Sequence, residues 1–148
     1  MKIIANNKRA AYDYDISLNI NSGLVLTGSE VKSLRINSSS IKEAYVQEKN
    51  GELWLCNCFI KKYDASNEKE NNPVRQRKLL ISKKELNKLI GSIKKNGLTI
   101  VPISMYFNDK GRVKLNIGLG RGKKKYDKRE TQKLKDWNKN KQRLLKKN

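Results

Sequence analysis

The sequence predicts a mainly β chain: about six short antiparallel strands, two short helices and a basic C-terminal extension. Three observations predict it. Apolar residues alternate from Tyr12 to Ile20, as in a strand with one face covered. Asn50-Gly51 stands between two apolar runs, the strongest short-range hairpin signal. Two further apolar runs, residues 98–107 and 112–119, flank the turn residues Asn108-Asp109-Lys110-Gly111.

Taken in order, Tyr12, Tyr14, Ile16, Leu18 and Ile20 share one face of a half-buried strand. Asn21-Ser22-Gly23 breaks or bulges that strand, and Leu24-Val25-Leu26 continues it. Residues 28–35 read as a short helix capped by Ser29 and burying Val31 and Leu34. After a loop at residues 37–40, strands over 41–47 and 52–60 flank the Asn-Gly turn. Residues 61–73 are polar and weakly patterned, the mark of a mobile loop. Arg75-Gln76-Arg77-Lys78 then feeds an apolar strand that ends at Ile81. Ser82 and Glu85 form a capping box that opens a helix with apolar Leu86, Leu89, Ile90 and Ile93. Gly97 ends that helix in the left-handed conformation. Pro102 belongs at an edge or a bulge.

Such a set closes most naturally as a partly open barrel of the oligonucleotide-binding type over residues 1–119. Tyr12, Tyr14, Tyr45 and Tyr106 are candidates for stacking on bases. The plainer reading is that most of them pack in the core.

Residues 120–148 form the extension. The chain has 148 residues, a net charge of +20 and a pI of about 10.1, and residues 120–148 carry half of that charge. So large an excess calls for a polyanionic partner, nucleic acid before an anionic membrane. Gly120 and Gly122 loosen the backbone where the last strand should stop, and Asp127 with Glu130 can cap a new helix. That helix carries only Leu134, Trp137, Leu144 and Leu145 on its apolar stripe. Four apolar residues are too few to offset the ordering entropy and the lysine repulsion, so the tail is expected to be disordered when free and helical on a polyanion. A solvated lysine tail with diffuse affinity for any nucleic acid fits the composition as well.

Catalysis finds no support. The chain has no histidine, no Gly-rich phosphate loop of the Walker type and no acidic cluster suited to two metal ions. Asp13 and Asp15 sit beside Lys8 and Arg9, where charge balance explains them. Cys56 and Cys58 lie two apart in a strand and read as buried reduced thiols rather than a disulfide or a zinc site. No cofactor is implied. No run approaches the roughly 18 apolar residues needed to span a bilayer, and the N-terminal apolar run is too short for a secretion signal, so the chain reads as cytoplasmic.

Several segments together resemble one bacterial family. They are Asn7-Lys8-Arg9-Ala10, Glu30-Val31-Lys32-Ser33-Leu34-Arg35, Ile41-Lys42-Glu43-Ala44-Tyr45, Arg77-Lys78-Leu79-Leu80 and Gly122-Lys123-Lys124-Lys125-Tyr126-Asp127-Lys128-Arg129. Asn50-Gly51-Glu52 and Trp54-Leu55 add to them. In this order they are similar to small protein B, the partner of transfer-messenger RNA, over essentially the whole chain. The resemblance implies an adaptor without catalytic activity whose barrel holds the tRNA-like domain of that RNA. It implies a tail that enters the empty messenger channel of a stalled ribosome, near the small-subunit decoding centre, and delivery in company with elongation factor Tu. The RNA-holding residues it implies are Lys8, Arg9, Tyr14, Asn21, Leu80 and Ser82. The tail residues it implies are Lys123, Lys124, Tyr126, Asp127, Lys128 and Arg129, with Trp137, Leu144 and Leu145 on the stripe. Tyr12 stands where the family usually has histidine, which keeps a ring but drops a titratable group. Asn21 stands where glutamate is usual, and can both accept and donate a hydrogen bond. The competing readings are a general RNA-binding or ribosomal protein and, further off, an RNA-processing enzyme.

Overall fold

In the computed structural model the described residues are 1–63, 72–123, 129 and 132–140. Up to residue 123, seven strands and three helices follow in the order β1 (Lys2–Asn6), α1 (Ala10–Asp13), β2 (Tyr14–Leu24), α2 (Gly28–Ile36), β3 (Tyr45–Lys49), β4 (Glu52–Cys56), β5 (Arg77–Leu80), α3 (Lys83–Asn96), β6 (Thr99–Phe107) and β7 (Val113–Gly122). All strand pairs are antiparallel, and the sheet order is β1-β6-β7-β2-β5-β4-β3. The fold is mainly β, as expected, with one strand more than the sequence suggested. That strand is β1, whose partner β6 lies about a hundred residues away and leaves no local signal.

The inner face of the curled sheet is apolar. Ile20, Leu53, Leu55, Leu79, Met105, Leu115 and Ile117 form its centre, and α3 adds Leu89. Each such side chain contributes about 1.5–3 kcal/mol by leaving water. The β3–β4 hairpin turns at Asn50 and Gly51, both at positive φ (54° and 77°), as a two-residue primed turn requires. Ser82 caps α3 by accepting from the Glu85 N–H at 3.2 Å, and Gly97 ends that helix at φ 65°.

Local expectations fail in four places. Tyr12 is in α1, a four-residue helix too short to show a period, so the strand begins at Tyr14. β2 then runs unbroken through Asn21-Ser22-Gly23 to Leu24. α2 is capped by Thr27, not Ser29: Thr27 Oγ1 accepts from the Glu30 N–H at 3.2 Å and Glu30 Oε1 accepts from the Thr27 N–H at 2.9 Å. Ser29 lies inside the helix, and Val31 is only half-buried.

The fourth failure concerns Gly120 and Gly122, which lie within β7, opposite Ile16 and Tyr14. Gly120 is there for space rather than for looseness. A Cβ on it would stand 2.7 Å from the Asp15 carbonyl oxygen, whereas a Cβ on Gly122 would meet nothing within 4 Å. Gly120→Ala is therefore expected to cost about 1–3 kcal/mol in thermal unfolding, and Gly122→Ala close to nothing. Equal effects of the two substitutions would show that the contact does not matter.

A buried clasp joins α2 to β5. Glu30 and Arg77 are 5% and 0% exposed. Arg77 Nε donates to Glu30 Oε2 at 2.6 Å, Nη1 to the Cys58 carbonyl at 2.7 Å and Nη2 to the Pro73 carbonyl at 3.1 Å. Arg75 Nη2 donates to Glu30 Oε1 at 2.5 Å. Burial pushes the Glu30 carboxyl up, but hydrogen bonds from Arg75, the Thr27 N–H and Arg77, with the Arg77 charge, hold it below its usual value. Cys56 and Cys58 are buried free thiols, as expected, and burial raises both pKa values.

Candidate nucleic-acid interface

The extra residue in β2 builds one face of the sheet. Ile16 pairs with Gly120 but Leu18 pairs with Leu119, so Ser17 is a bulge. Paired residues share a face, and Leu119 and Gly120 lie on opposite faces. Tyr14 and Ile16 thus lie on the face of Gly120 and Gly122, as do Asn21 and Gly23, which pair with Asn116 and Lys114. A strict two-residue period would have placed Tyr14 and Asn21 on opposite faces.

Two rows cross that face. Tyr106, Lys114, Gly23 and Leu80 stand side by side on β6, β7, β2 and β5. Ser104, Asn116 and Asn21 form the next row. Leu80 is 53% exposed although it is a large apolar residue, and Asn21 and Ser82 are exposed beside it. Gly23 keeps the first row flat, for a Cβ there would meet Leu80 Cβ at 3.2 Å and Lys114 Nζ at 3.7 Å. An apolar side chain, amide groups and an ammonium on a flat sheet suit a base and its phosphate. Tyr106 is one of the rings offered above for stacking, whereas Lys114 was not singled out from the sequence. The signal for Lys114 was there in β7, where Val113, Leu115, Ile117 and Leu119 point inward and Lys114 and Asn116 alternate outward.

Lys8, Arg9 and Tyr14 lie at the other end of β2, roughly 20 Å from Asn21 at strand rise. Lys8 and Arg9 are exposed in the turn before α1. The Arg9 guanidinium carbon sits 5.0 Å from the Tyr12 ring centroid, and Nε lies 3.5 Å from Asp13 Oδ2. None of Tyr12, Tyr14, Tyr45 and Tyr106 belongs to the core; Tyr45 is exposed and the other three are half-buried. Replacing Lys8 and Arg9 together with alanine is expected to flatten the salt dependence of RNA binding. Each lost phosphate contact lowers the log–log slope by about 0.7–0.9. An unchanged slope would place both side chains off the RNA backbone.

The start of the extension is fastened to α1. The Lys123 N–H donates to the Asp13 carbonyl at 2.8 Å, and Lys123 Nζ donates to the Ala11 carbonyl at 2.9 Å. Residues 132–140 are helical, Leu134 and Trp137 are 61% and 64% exposed, and Arg129 is exposed. Lys135 Nζ stands 5.8 Å from the Tyr12 ring centroid. Lys124, Tyr126, Asp127, Lys128, Leu144 and Leu145 lie outside the described residues, as does most of the loop expected over residues 61–73.

Among the described residues no group of His, Cys, Asp and Glu could hold a metal ion, and no helix is long and apolar enough to cross a membrane.

Known proteins resemble this chain over most of its length. The family model described as SmpB protein matches residues 4–147. The SsrA-binding protein of Wolbachia sp. subsp. Brugia malayi is 54% identical over 148 residues, covering all of this chain and 99% of that protein. The SsrA-binding protein of Brucella anthropi is 51% identical over 144 residues, covering 97% of this chain and 91% of that protein. A solved structure described as "tmRNA-SmpB: a journey to the center of the bacterial ribosome" matches with a TM-score of 0.65 and 39% identity, over 84% of this chain and 91% of that one.

Proposed function

The chain belongs to the SmpB family, and from that premise we propose that it is the RNA-binding adaptor of trans-translation. It binds the tRNA-like domain of transfer-messenger RNA and brings that RNA to ribosomes stalled on incomplete messages. The observation that carries the reading is the single face on which Asn21 and Leu80 gather with Lys114 and Tyr106, with Tyr14 at its far end. Such a face can bind one folded RNA by shape, stacking and phosphate contacts, which a lysine tail alone cannot do. Lys8 and Arg9 add phosphate contacts at the far end of β2, and Ser82 extends the face beyond Leu80.

The second half of the reading concerns the extension. Lys123 fixes where it leaves the barrel. Residues 124–148 enter the vacant messenger channel beside the small-subunit decoding centre, with Tyr126, Asp127, Lys128 and Arg129 at the decoding end. Trp137, Leu144 and Leu145 form the apolar stripe that packs there. A short exposed helix is marginal in water by itself, so the ribosome supplies the partner that orders it. Elongation factor Tu accompanies the complex, the protein works in the cytoplasm, and it catalyses no step itself.

The direct test is a binding titration at physiological salt. The isolated tRNA-like domain should bind more than about tenfold tighter than an ordinary elongator tRNA. Equal affinities would reduce the protein to a general RNA binder.

A further inference from the structure

The barrel does not close, and its open seam has the chemistry of a binding site. β1 occupies the edge of β6 over Ser104–Phe107. The rest of that edge, Thr99 to Pro102, faces β3 with no ladder between them among the described residues. Between them lies a cleft of about 460 Å³, within the range of small-molecule sites. Its floor is apolar, with Val101 and Pro102 buried. Tyr14 and Tyr45 also line it, with the cations Arg9 and Lys42 and the carboxylates Asp13 and Glu43 beside them. Tyr45 is 52% exposed, a large apolar area to leave in water without a partner.

The backbone adds a second argument. Successive residues of a strand point their N–H and C=O groups to alternate sides, so part of the Thr99–Val101 backbone is directed away from β7 into the seam. Backbone groups removed from bulk water need partners. Asn7 Nδ2 supplies one, donating to the Pro102 carbonyl at 3.0 Å. A planar ligand with both donors and acceptors on its edge would supply others, while its face lies against a phenol ring.

We infer that this seam binds one unstacked nucleobase. The base stacks on Tyr45, presents its hydrogen-bonding edge to the open edge of β6, and leaves its phosphate to Arg9 and Lys42. The inference rests on the RNA-binding reading and deepens it, because Arg9 and Tyr14 also belong to the surface described above. The shared chemistry is a nucleotide, whether it belongs to a bound RNA strand or is free in solution.

The test uses the full chain and nuclear magnetic resonance of the Tyr45 ring and the Val101 methyl groups. GMP and UMP, titrated to about 10 mM, should shift both sets of signals, and ribose 5-phosphate should not. If bound tRNA-like RNA then abolishes the response to GMP, the nucleotide comes from that RNA. If the response persists, the seam takes free nucleotides. In the first case Tyr45→Ala weakens RNA binding by about tenfold, and Tyr45→Phe, which keeps the ring, restores it. No shift with either nucleotide, or equal shifts with ribose 5-phosphate, overturns the inference. The same samples report RNA affinity, so an intact affinity with a silent seam would refute the seam and leave the adaptor reading standing.

Discussion

Replacing Arg77 with alanine is expected to cost about 3–5 kcal/mol of stability, the largest effect of any single substitution considered. The substitution leaves the Glu30 carboxylate buried and removes donors from the Cys58 and Pro73 carbonyls at the same time. Urea denaturation gives the number, and a loss below about 1 kcal/mol would mean that the clasp relaxes without it. The clasp also sets a pH dependence. The folded-state pKa of Glu30 lies below its unfolded value of about 4.3. The stability it provides is therefore fully present above that unfolded value and is lost as pH falls through the folded one. Glu30→Gln should be less stable near neutrality and should lose less than the native chain on acidification. Parallel stability curves for the two proteins would contradict this.

Removing the extension should separate two activities. A chain that ends at Lys123 keeps β7 and its pairing with Tyr14, so selective binding of the tRNA-like domain is expected to survive. Tag addition on a messenger without a stop codon, scored in reconstituted translation, is expected to fall to background. A diffuse electrostatic tail predicts instead that truncation weakens the binding of every RNA. Asp127 sharpens the contrast. Asp127→Ala raises the net charge by one, so a purely electrostatic tail works as well or better. If Asp127 caps a helix, the substitution costs about 1 kcal/mol of helix stability and impairs tagging, with RNA affinity unchanged. Normal tagging by the truncated chain and by Asp127→Ala would take the tail out of the mechanism.

The parts of this fold legible in the sequence are those fixed by neighbours along the chain. Asn50-Gly51 specifies its hairpin, and Ser82 and Gly97 bound α3, because each acts within four residues of itself. What was not legible depends on partners far away. β1 is a short apolar run until β6 pairs with it. The Ser17 bulge lies inside an uninterrupted alternation, and only the pairing with β7 shows that the pleat inverts there. Glu30 and Arg77 stand in separate motifs, 47 residues apart, and only the fold brings them together and buries them. The surface was half legible for the same reason. Asn21, Leu80 and Ser82 came from the family resemblance, whereas Lys114 joins them only because β7 lies between β6 and β2. Gly120 was read as a hinge because glycine marks both loose turns and close backbone approach, and a carbonyl at 2.7 Å decides for the second.

The central claim is that the folded surface, rather than charge alone, selects one structured RNA. Sequencing the RNA that co-purifies with the tagged full-length protein from cells tests it most directly. The account predicts one dominant species with tRNA-like ends, retained in washes at raised salt and lost when Asn21, Leu80 and Lys114 are replaced together. A co-purifying pool that mirrors total cellular RNA, unchanged by those substitutions, would contradict it.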